Sequence, residues 1–242
     1  MSIGSQHDKV SIVIPIHNRA KAENALKALK KQTYPNIEII TVESKGFPAE
    51  KRNYGFKKSG GKYVYFLDED EYASATTVED CVKKAQEGYD VIAVPVVKKP
   101  PRSYVSKCVA ITRVNTPKRM FFKRKLLEKI GLFNPEYVLC DDVEILERVM
   151  KGDFKIGQVN TCYLLHDEET GLRGVLYKTI FARKSFRKIA YVCQEPTIVQ
   201  ITGECGTVIN RRRIFRQLLK EPVYIFGVLF VMGLRFVARR IP

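Results

Sequence analysis

The stretch AEKRNYGFKKSGGKYVYFLDED, residues 49–70, decides the fold. Ala49 to Ser59 reads as a helix, and Tyr63 to Leu67 as an apolar strand. Asp68-Glu69-Asp70 follows at once, with two carboxylates two residues apart at a strand end. There both can approach a divalent cation that bridges substrate phosphates, since Mg²⁺ favours one or two carboxylates completed by phosphate oxygens and water. The competing use is structural, because acids at strand ends also cap helices and solvate turns. Thr76-Thr77-Val78-Glu79 supplies a capping box for the next helix, which leaves Asp68 and Asp70 without that job. Local chemistry leaves both uses open.

The same alternation continues on either side. Val10 to Ile16 is a β-branched strand bounded by Pro15, and Arg19 to Gln32 is a helix with Ala25, Leu26 and Leu29 on one face. Asn36 to Val42 is a second strand, Thr76 to Gln86 a further helix, and Asp90 to Val96 a further strand. Strands alternating with helices predict an α/β fold with a mainly parallel central sheet flanked by helices. Lys98 to Arg102 (KKPPR) interrupts the pattern. From Val109 to Phe122 short apolar stretches predict strands, Arg124 to Ile130 a short helix closed by Gly131, Asp142 to Met150 a helix, and Phe154 to Leu165 a strand ending at His166. The expected organisation is a catalytic domain over 1–170, with a nucleotide-binding half at about 9–97 and an acceptor half at about 98–170, then a basic helical region over 171–242.

Ligands of an open α/β sheet bind at the carboxyl ends of its strands. Polar residues just after each apolar run are therefore candidates: Pro15 to Arg19, Glu43 to Lys45, Asp68 to Glu71, and Asp141-Asp142 with His166. Asp141-Asp142 opens an amphipathic helix, so one of them suits an N-terminal capping role while the other is available as a general base. His166 precedes Asp167, Glu168 and Glu169, and a lone histidine is more often a packed or surface residue than a metal ligand. Lys51 and Arg52, beside Asn53, suit either a phosphate or a solvated helix face.

The chain has 242 residues and a formal net charge of +16. The last 72 residues hold 14 Lys/Arg against 3 Asp/Glu, so the charge is concentrated in a cationic C-terminal third. Leu172 to Ile189 and Arg211 to Lys220 read as basic amphipathic helices. Pro222 to Leu234 is apolar for only 13 residues, short of the roughly 20 a spanning helix needs, and reads as interfacial or buried. Phe226, Leu229, Phe230, Leu234 and Phe236 suit an interface whose anionic headgroups meet Arg211 to Arg213, Arg235, Arg239 and Arg240. Packing on the catalytic domain or on a second subunit is the alternative, so a homo-oligomer stays open. Six cysteines without paired spacing predict reduced thiols, and the polar N-terminus lacks a signal-peptide pattern, so the expected location is the cytoplasmic face of a membrane.

Four pieces in order, VSIVIPIHNRA (10–20), IEIITVES (37–44), the 49–70 stretch and DDVEILERVMKGDFKIG (141–157), resemble the inverting GT-A glycosyltransferases of family 2. The resemblance covers roughly Val10 to Glu168 and implies the GT-A, nucleotide-diphospho-sugar transferase fold. It implies a metal-dependent enzyme with Mg²⁺ or Mn²⁺ as cofactor, a nucleotide-sugar donor, and in related enzymes with such tails a lipid-linked or polyprenyl acceptor. By the same resemblance Pro15, Asn18, Arg19, Glu43, Arg52, Asn53 and Asp68 fall at the donor nucleotide, Asp70 and His166 at the metal, and Asp142 at the position of the catalytic base. Glu43 stands where Asp is usual, Asp141 where Glu is common, and His17 where an aromatic residue or Thr is frequent. Two other readings compete: a synthase that charges polyprenyl phosphate with one sugar, and a non-enzymatic basic protein that binds nucleic acid. No recognisable nucleic-acid-binding motif accompanies the charge, so nucleic acid is not an expected partner.

Overall fold

The computed structural model describes residues 7–112, 119–138, 141–168, 170–189 and 211–238, without the side chains of 181–189, 211 and 238. Its centre is a six-stranded sheet. β1 (Val10–Pro15) is flanked by β2 (Ile37–Val42) and β3 (Tyr63–Phe66), both parallel to it. Beyond β3 the order continues with β7 (Arg119–Lys123), β5 (Val91–Val94) and β8 (Ile156–Gln158). β7 runs antiparallel to both its neighbours, whereas β5 and β8 pair in parallel. A second sheet sets β9 (Leu164–His166) between β4 (Glu71–Ala73) and β6 (Val96–Lys98).

Helices cover both faces of the large sheet, which is why every residue of β1 and β3 is buried. Successive strand residues face opposite ways. Val10, Ile12, Ile14, Tyr63, Tyr65 and Leu67 join one core with Ala22 and Leu29 of α1 (Arg19–Leu29) and with Val78, Cys81, Val82 and Ala85 of α3 (Thr77–Gln86). Val13, Val64 and Phe66 join the other with Ala49 and Phe56 of α2 (Pro48–Lys58) and Ile145, Leu146 and Val149 of α6 (Asp141–Lys151). Each such side chain contributes about 1.5–3 kcal/mol by leaving water. α5 (Arg124–Ile130) follows β7 and ends at Gly131, as its sequence predicts.

Three local expectations change. Val109 does not open a strand, because it lies in α4 (Tyr104–Thr112). The Ser103 hydroxyl caps that helix by accepting the Ser106 N–H at 3.1 Å. The Phe154 to Leu165 segment divides into β8 and β9, which belong to different sheets. Thr76 makes no side-chain cap to α3, and its hydroxyl goes to Asp80 at 3.0 Å. A one-sided cap occurs instead at α2, where the Phe47 N–H donates to Glu50 Oε2 at 2.7 Å and Pro48 occupies the first turn.

The C-terminal helices are α7 (Leu172–Ile189), α8 (Arg211–Lys220) and, after a 3₁₀ turn at Pro222–Tyr224, α9 (Ile225–Ala238). With α4 they bury a third apolar cluster of Cys108, Val109, Ile111, Val175, Ile214, Val228 and Val231. α9 approaches α4 so closely at Gly227 that a Cβ there would lie 2.5 Å from Cys108 Sγ. Cys81, Cys108 and Cys162 are buried free thiols, while Cys140, Cys193 and Cys205 lie outside the described residues. So do Glu169, Arg239 and Arg240.

Candidate functional site

Four carboxylates and two guanidinium groups meet where β1, β3 and β5 end. Asp68 follows β3, and both its oxygens are taken: Oδ1 by Arg52 Nη2 at 2.7 Å and Oδ2 by Arg119 Nη2. Arg52, on α2, also pairs with Asp141 and lies with its guanidinium carbon 5.4 Å from the centre of the Phe133 ring. Arg119 opens β7, and its Nε donates to Glu71 Oε1 at 2.6 Å while Nη1 faces Asp142 Oδ2 at 3.4 Å. Asp141 and Asp142, neighbours at the start of α6, are thus held by different arginines bridged through Asp68.

Burial by itself would push the Asp68 carboxyl up, but Arg119 and Arg52 outweigh it and hold the group well below the usual carboxylate range. Glu71 is fully buried, and burial keeps its pKa above the ordinary value despite Arg119. Asp142 is also raised, by desolvation and by the charge of Asp141, with Arg119 and Arg52 offsetting only part. A carboxyl with raised proton affinity, 36% exposed at its side chain, is suited to accept a proton from an incoming hydroxyl. Asp142 Oδ1 also accepts its neighbour's backbone N–H, that of Val143, at 2.9 Å.

The second sheet places His166. β4 and β9 pair antiparallel with Glu71 opposite His166, and the Asp167 N–H donates to the Asp70 carbonyl at 2.9 Å. His166 Nε2 therefore sits 3.3 Å from Asp70 Oδ1, while Nδ1 is buried with no hydrogen-bond partner. Burial lowers the imidazole pKa, but the hydrogen bond to Asp70 and the charge of Glu71 outweigh it and leave the pKa above the usual value. Two donors, each about 2.1 Å from one cation and at right angles, lie about 3 Å apart. The Asp70–His166 pair fits a divalent cation in separation and in donor type. Among the described residues no three His, Cys, Asp or Glu side chains converge as a metal cage, so substrate oxygens and water would complete the coordination.

Glu69 has a different task from its two neighbours. Its Oε2 accepts the backbone N–H groups of His17 and Asn18 at 2.6 and 2.7 Å, tying the loop after β1 to the acidic cluster. Lys51, 2% exposed, reaches from α2 to the Ile16 carbonyl at 2.6 Å and to His17 Nδ1 at 3.1 Å. Burial lowers the pKa of Lys51, and burial together with Lys51 lowers that of His17.

The structure therefore brings together Arg52, Asp68 and Asp142, and separately Asp70 and His166. Pro15 ends β1 and is buried. Asn18 caps α1, accepting the Lys21 N–H. Arg19 and Glu43 form an exposed pair at 3.3 Å on the rim. Asn53 turns away, its amide exchanging hydrogen bonds with the Phe133 carbonyl and N–H at 2.7 and 3.0 Å. Arg119 enters the site as a structural partner that the sequence did not single out, while Glu69 and Glu71, inside the candidate stretch Asp68 to Glu71, serve as structural partners. The available signal for Arg119 was a basic residue, preceded by Lys118, at the start of the apolar run Met120-Phe121-Phe122.

Residues 43–132 match the family model for glycosyl transferase family 2. The minor teichoic acid biosynthesis protein GgaB of Bacillus subtilis (strain 168) is 34% identical over an alignment covering 27% of this chain and 8% of that protein. The chain spans between 8 and 35% of the length of the curated relatives it matches. S. aureus TarS 1-349, solved in complex with UDP-GlcNAc, superposes with a TM-score of 0.58 at 18% identity, covering 80% of this chain and 70% of that one. Mannosyltransferase PcManGT from Pyrobaculum calidifontis, in complex with GDP-Man and Mn²⁺, gives 0.55 at 13% identity, covering 95% and 74%. The chain has the GT-A glycosyltransferase fold, and its match over residues 43–132 supports a glycosyltransferase of family 2.

Proposed function

We propose that this chain transfers a sugar, with inversion, from a nucleotide-sugar donor to a lipid-linked acceptor at the cytoplasmic face of a membrane. The observation that carries the reading is the arrangement of acids around Arg52 and Arg119: Asp142 has raised proton affinity and partial exposure, while Asp70 and His166 sit at cation-sharing distance. In this reading Asp142 takes the proton of the acceptor hydroxyl as that oxygen attacks the anomeric carbon from the face opposite the leaving group. Asp70 and His166 would hold Mg²⁺ or Mn²⁺, which would supply charge neutralisation for the departing nucleoside diphosphate. Asn18, Arg19 and Glu43 line the nucleotide side, on a loop that Glu69 and Lys51 fix in place.

The membrane part rests on α8 and α9. Val228 and Val231 are buried, yet Phe226 is 83% exposed, and Leu229, Phe230 and Phe236 are each more than half exposed. Arg212, Arg213, Arg216 and Lys220 line one groove on α8. Exposed aromatics beside a cationic helix suit an interface with anionic headgroups. No single helix among the described residues is long and apolar enough to cross a membrane; the segments Arg212–Lys220 and Pro222–Val237 meet at a bend of 119°. GgaB carries a teichoic acid biosynthesis name, which suits a glycan-polymer acceptor.

The test is a donor screen by nucleotide release, spanning uridine and guanosine diphospho-sugars, with Mn²⁺ or Mg²⁺ and membrane-lipid extract as acceptor. One donor is expected to turn over only when metal is present. Absence of metal-dependent turnover or binding for every nucleotide sugar would sink the reading. Full activity in Asp142→Asn would favour the polyprenyl-phosphate synthase, whose phosphate acceptor is already an anion and needs no base.

A further inference from the structure

Arg119 makes three directed contacts, one with each of three elements. Two are short and go to groups already fixed: Glu71, fully buried on β4, and Asp68, whose other oxygen is held by Arg52. The third goes to Asp142 on α6 at 3.4 Å, well beyond the 2.7–2.9 Å or so of a tight charged hydrogen bond. The guanidinium is therefore anchored at two corners and presents its remaining nitrogen to a side chain that can still adjust.

The groups facing Asp142 are Asp141 on its own helix, Arg119 on β7, Arg52 on α2 and Asp68 after β3. The two acids favour a proton on Asp142. Arg52 spends its directed contacts on Asp141 and Asp68. Arg119 is thus the cation in direct contact with the Asp142 carboxylate. We propose that Arg119 is the positioning residue for Asp142, orienting its carboxylate and opposing its protonation beside two other acids. The kinetic part rests on the reading of Asp142 as base; the electrostatic part stands on geometry alone. A lysine could supply the charge at Arg119 but not the rigid fork that reaches three carboxylates at once.

The test uses the full chain. The Asp142 carboxyl is titrated by ¹³C NMR on aspartate-labelled protein, its signal identified by loss in Asp142→Asn, and kcat is measured against pH. Arg119→Gln is expected to raise the Asp142 titration by at least about one pH unit and to move the acid limb of kcat upward with it. At the pH of the wild-type limb the rate falls about tenfold, while the donor KM changes less than about threefold. Arg119→Lys is expected to return the titration toward wild type without restoring kcat. Should Arg119→Gln fail to fold around the bared Glu71, the pair Glu71→Gln/Arg119→Gln is compared with Glu71→Gln alone. An Asp142 titration unchanged within a few tenths of a unit in folded Arg119→Gln, or in the Glu71→Gln/Arg119→Gln pair against Glu71→Gln alone, overturns the proposal. A fully active Asp142→Asn overturns the base reading instead. An inert Asp142→Asn combined with an unmoved acid limb overturns the role of Arg119 alone.

Discussion

Gly55 is a costly residue for the middle of a helix, and replacing it by alanine tests how tightly α2 is seated. A Cβ at position 55 would lie 2.3 Å from Val13 Cγ1 and 3.3 Å from both Val13 Cγ2 and Val42 Cγ2. Carbon atoms pack at about 3.5–4.0 Å, so α2 must retreat by roughly 1 Å or Val13 must leave its rotamer. Val13 is fully buried, β-branched and held in β1 between two strands, so it has little room to turn. Alanine gains about 1 kcal/mol of helix propensity. Overpacking of this kind costs about 1–3 kcal/mol, and a contact this short belongs at the upper end. The net expectation is a loss of about 1–2 kcal/mol, or about 2–4 °C of melting temperature for each kcal/mol in a chain of this size. Arg52 lies three residues earlier on the same helix, so a retreat also stretches its 2.7 Å contact with Asp68, and nucleotide release should fall in protein that is still folded. Gly174→Ala is the control: its Cβ would meet Thr170 Cγ2 at an ordinary 3.4 Å, so alanine should be neutral or stabilising by about 0.5–1 kcal/mol. Thermal unfolding of both variants decides the matter. A Gly55→Ala protein as stable as wild type would refute the packing argument.

Because the protein offers Asp70 and His166 but no third converging ligand among the described residues, calorimetry should show Mn²⁺ binding at least about tenfold more tightly with a nucleoside diphosphate present, an enhancement lost in His166→Ala. Asp142→Asn should lower kcat by about 10²–10⁴-fold with donor affinity retained; in the wild type kcat should fall as pH drops through the raised Asp142 pKa, placing the acid limb above the ordinary aspartate range. Glu38 accepts hydrogen bonds from Lys9, Ser11 and the Gly60 N–H, which together outweigh its burial and lower its pKa to about 2. Its contribution is full above the unfolded value of about 4.3 and lost as pH falls toward 2, so Glu38→Gln should cost about 1 kcal/mol at pH 7 and flatten that part of the acid unfolding curve. Phe226→Ser and Phe230→Ser should leave the melting temperature within about 2 °C yet release the protein from phosphatidylserine vesicles, whereas Val228→Asp, which buries a charge against α4, should destabilise by about 3 kcal/mol or more. Sedimentation with vesicles at low and high salt reads the first effect, and equal binding by the serine variants would remove the case for insertion.

Much of the fold was legible because periodicity and burial are tightly linked in a sheet covered on both faces. The runs at Val10 to Ile16, Asn36 to Val42 and Tyr63 to Leu67 read as strands, and they are the three parallel neighbours β1, β2 and β3, with β1 and β3 buried and β2 at the sheet edge. Val109 was misread because VSKCVAIT is apolar at both strand and helix spacings, and the choice falls to α9, whose Gly227 and Val228 need a helical partner at Cys108 and Val109. The capping box at Thr76 was locally plausible, but its partner Glu79 pairs with Thr33 and Lys83 instead.

The amino-acid sequence by itself determined the strand-helix alternation, the acidic cluster after β3 and the cationic, apolar C-terminal third, because each is a property of neighbours along the chain. Only the tertiary structure decided what those acids do. Searching the ends of apolar runs finds the carboxyl ends of parallel strands, but β7 is antiparallel, so its first residue, Arg119, arrives at the same edge from the opposite direction, opposite Val94 of β5. There it braces Asp68 together with Arg52, while the loop after β1 takes Glu69 and the β4–β9 pairing leaves Asp70 beside His166. Strand direction and pairing order are long-range properties fixed by packing, and no local pattern in the chain encodes them.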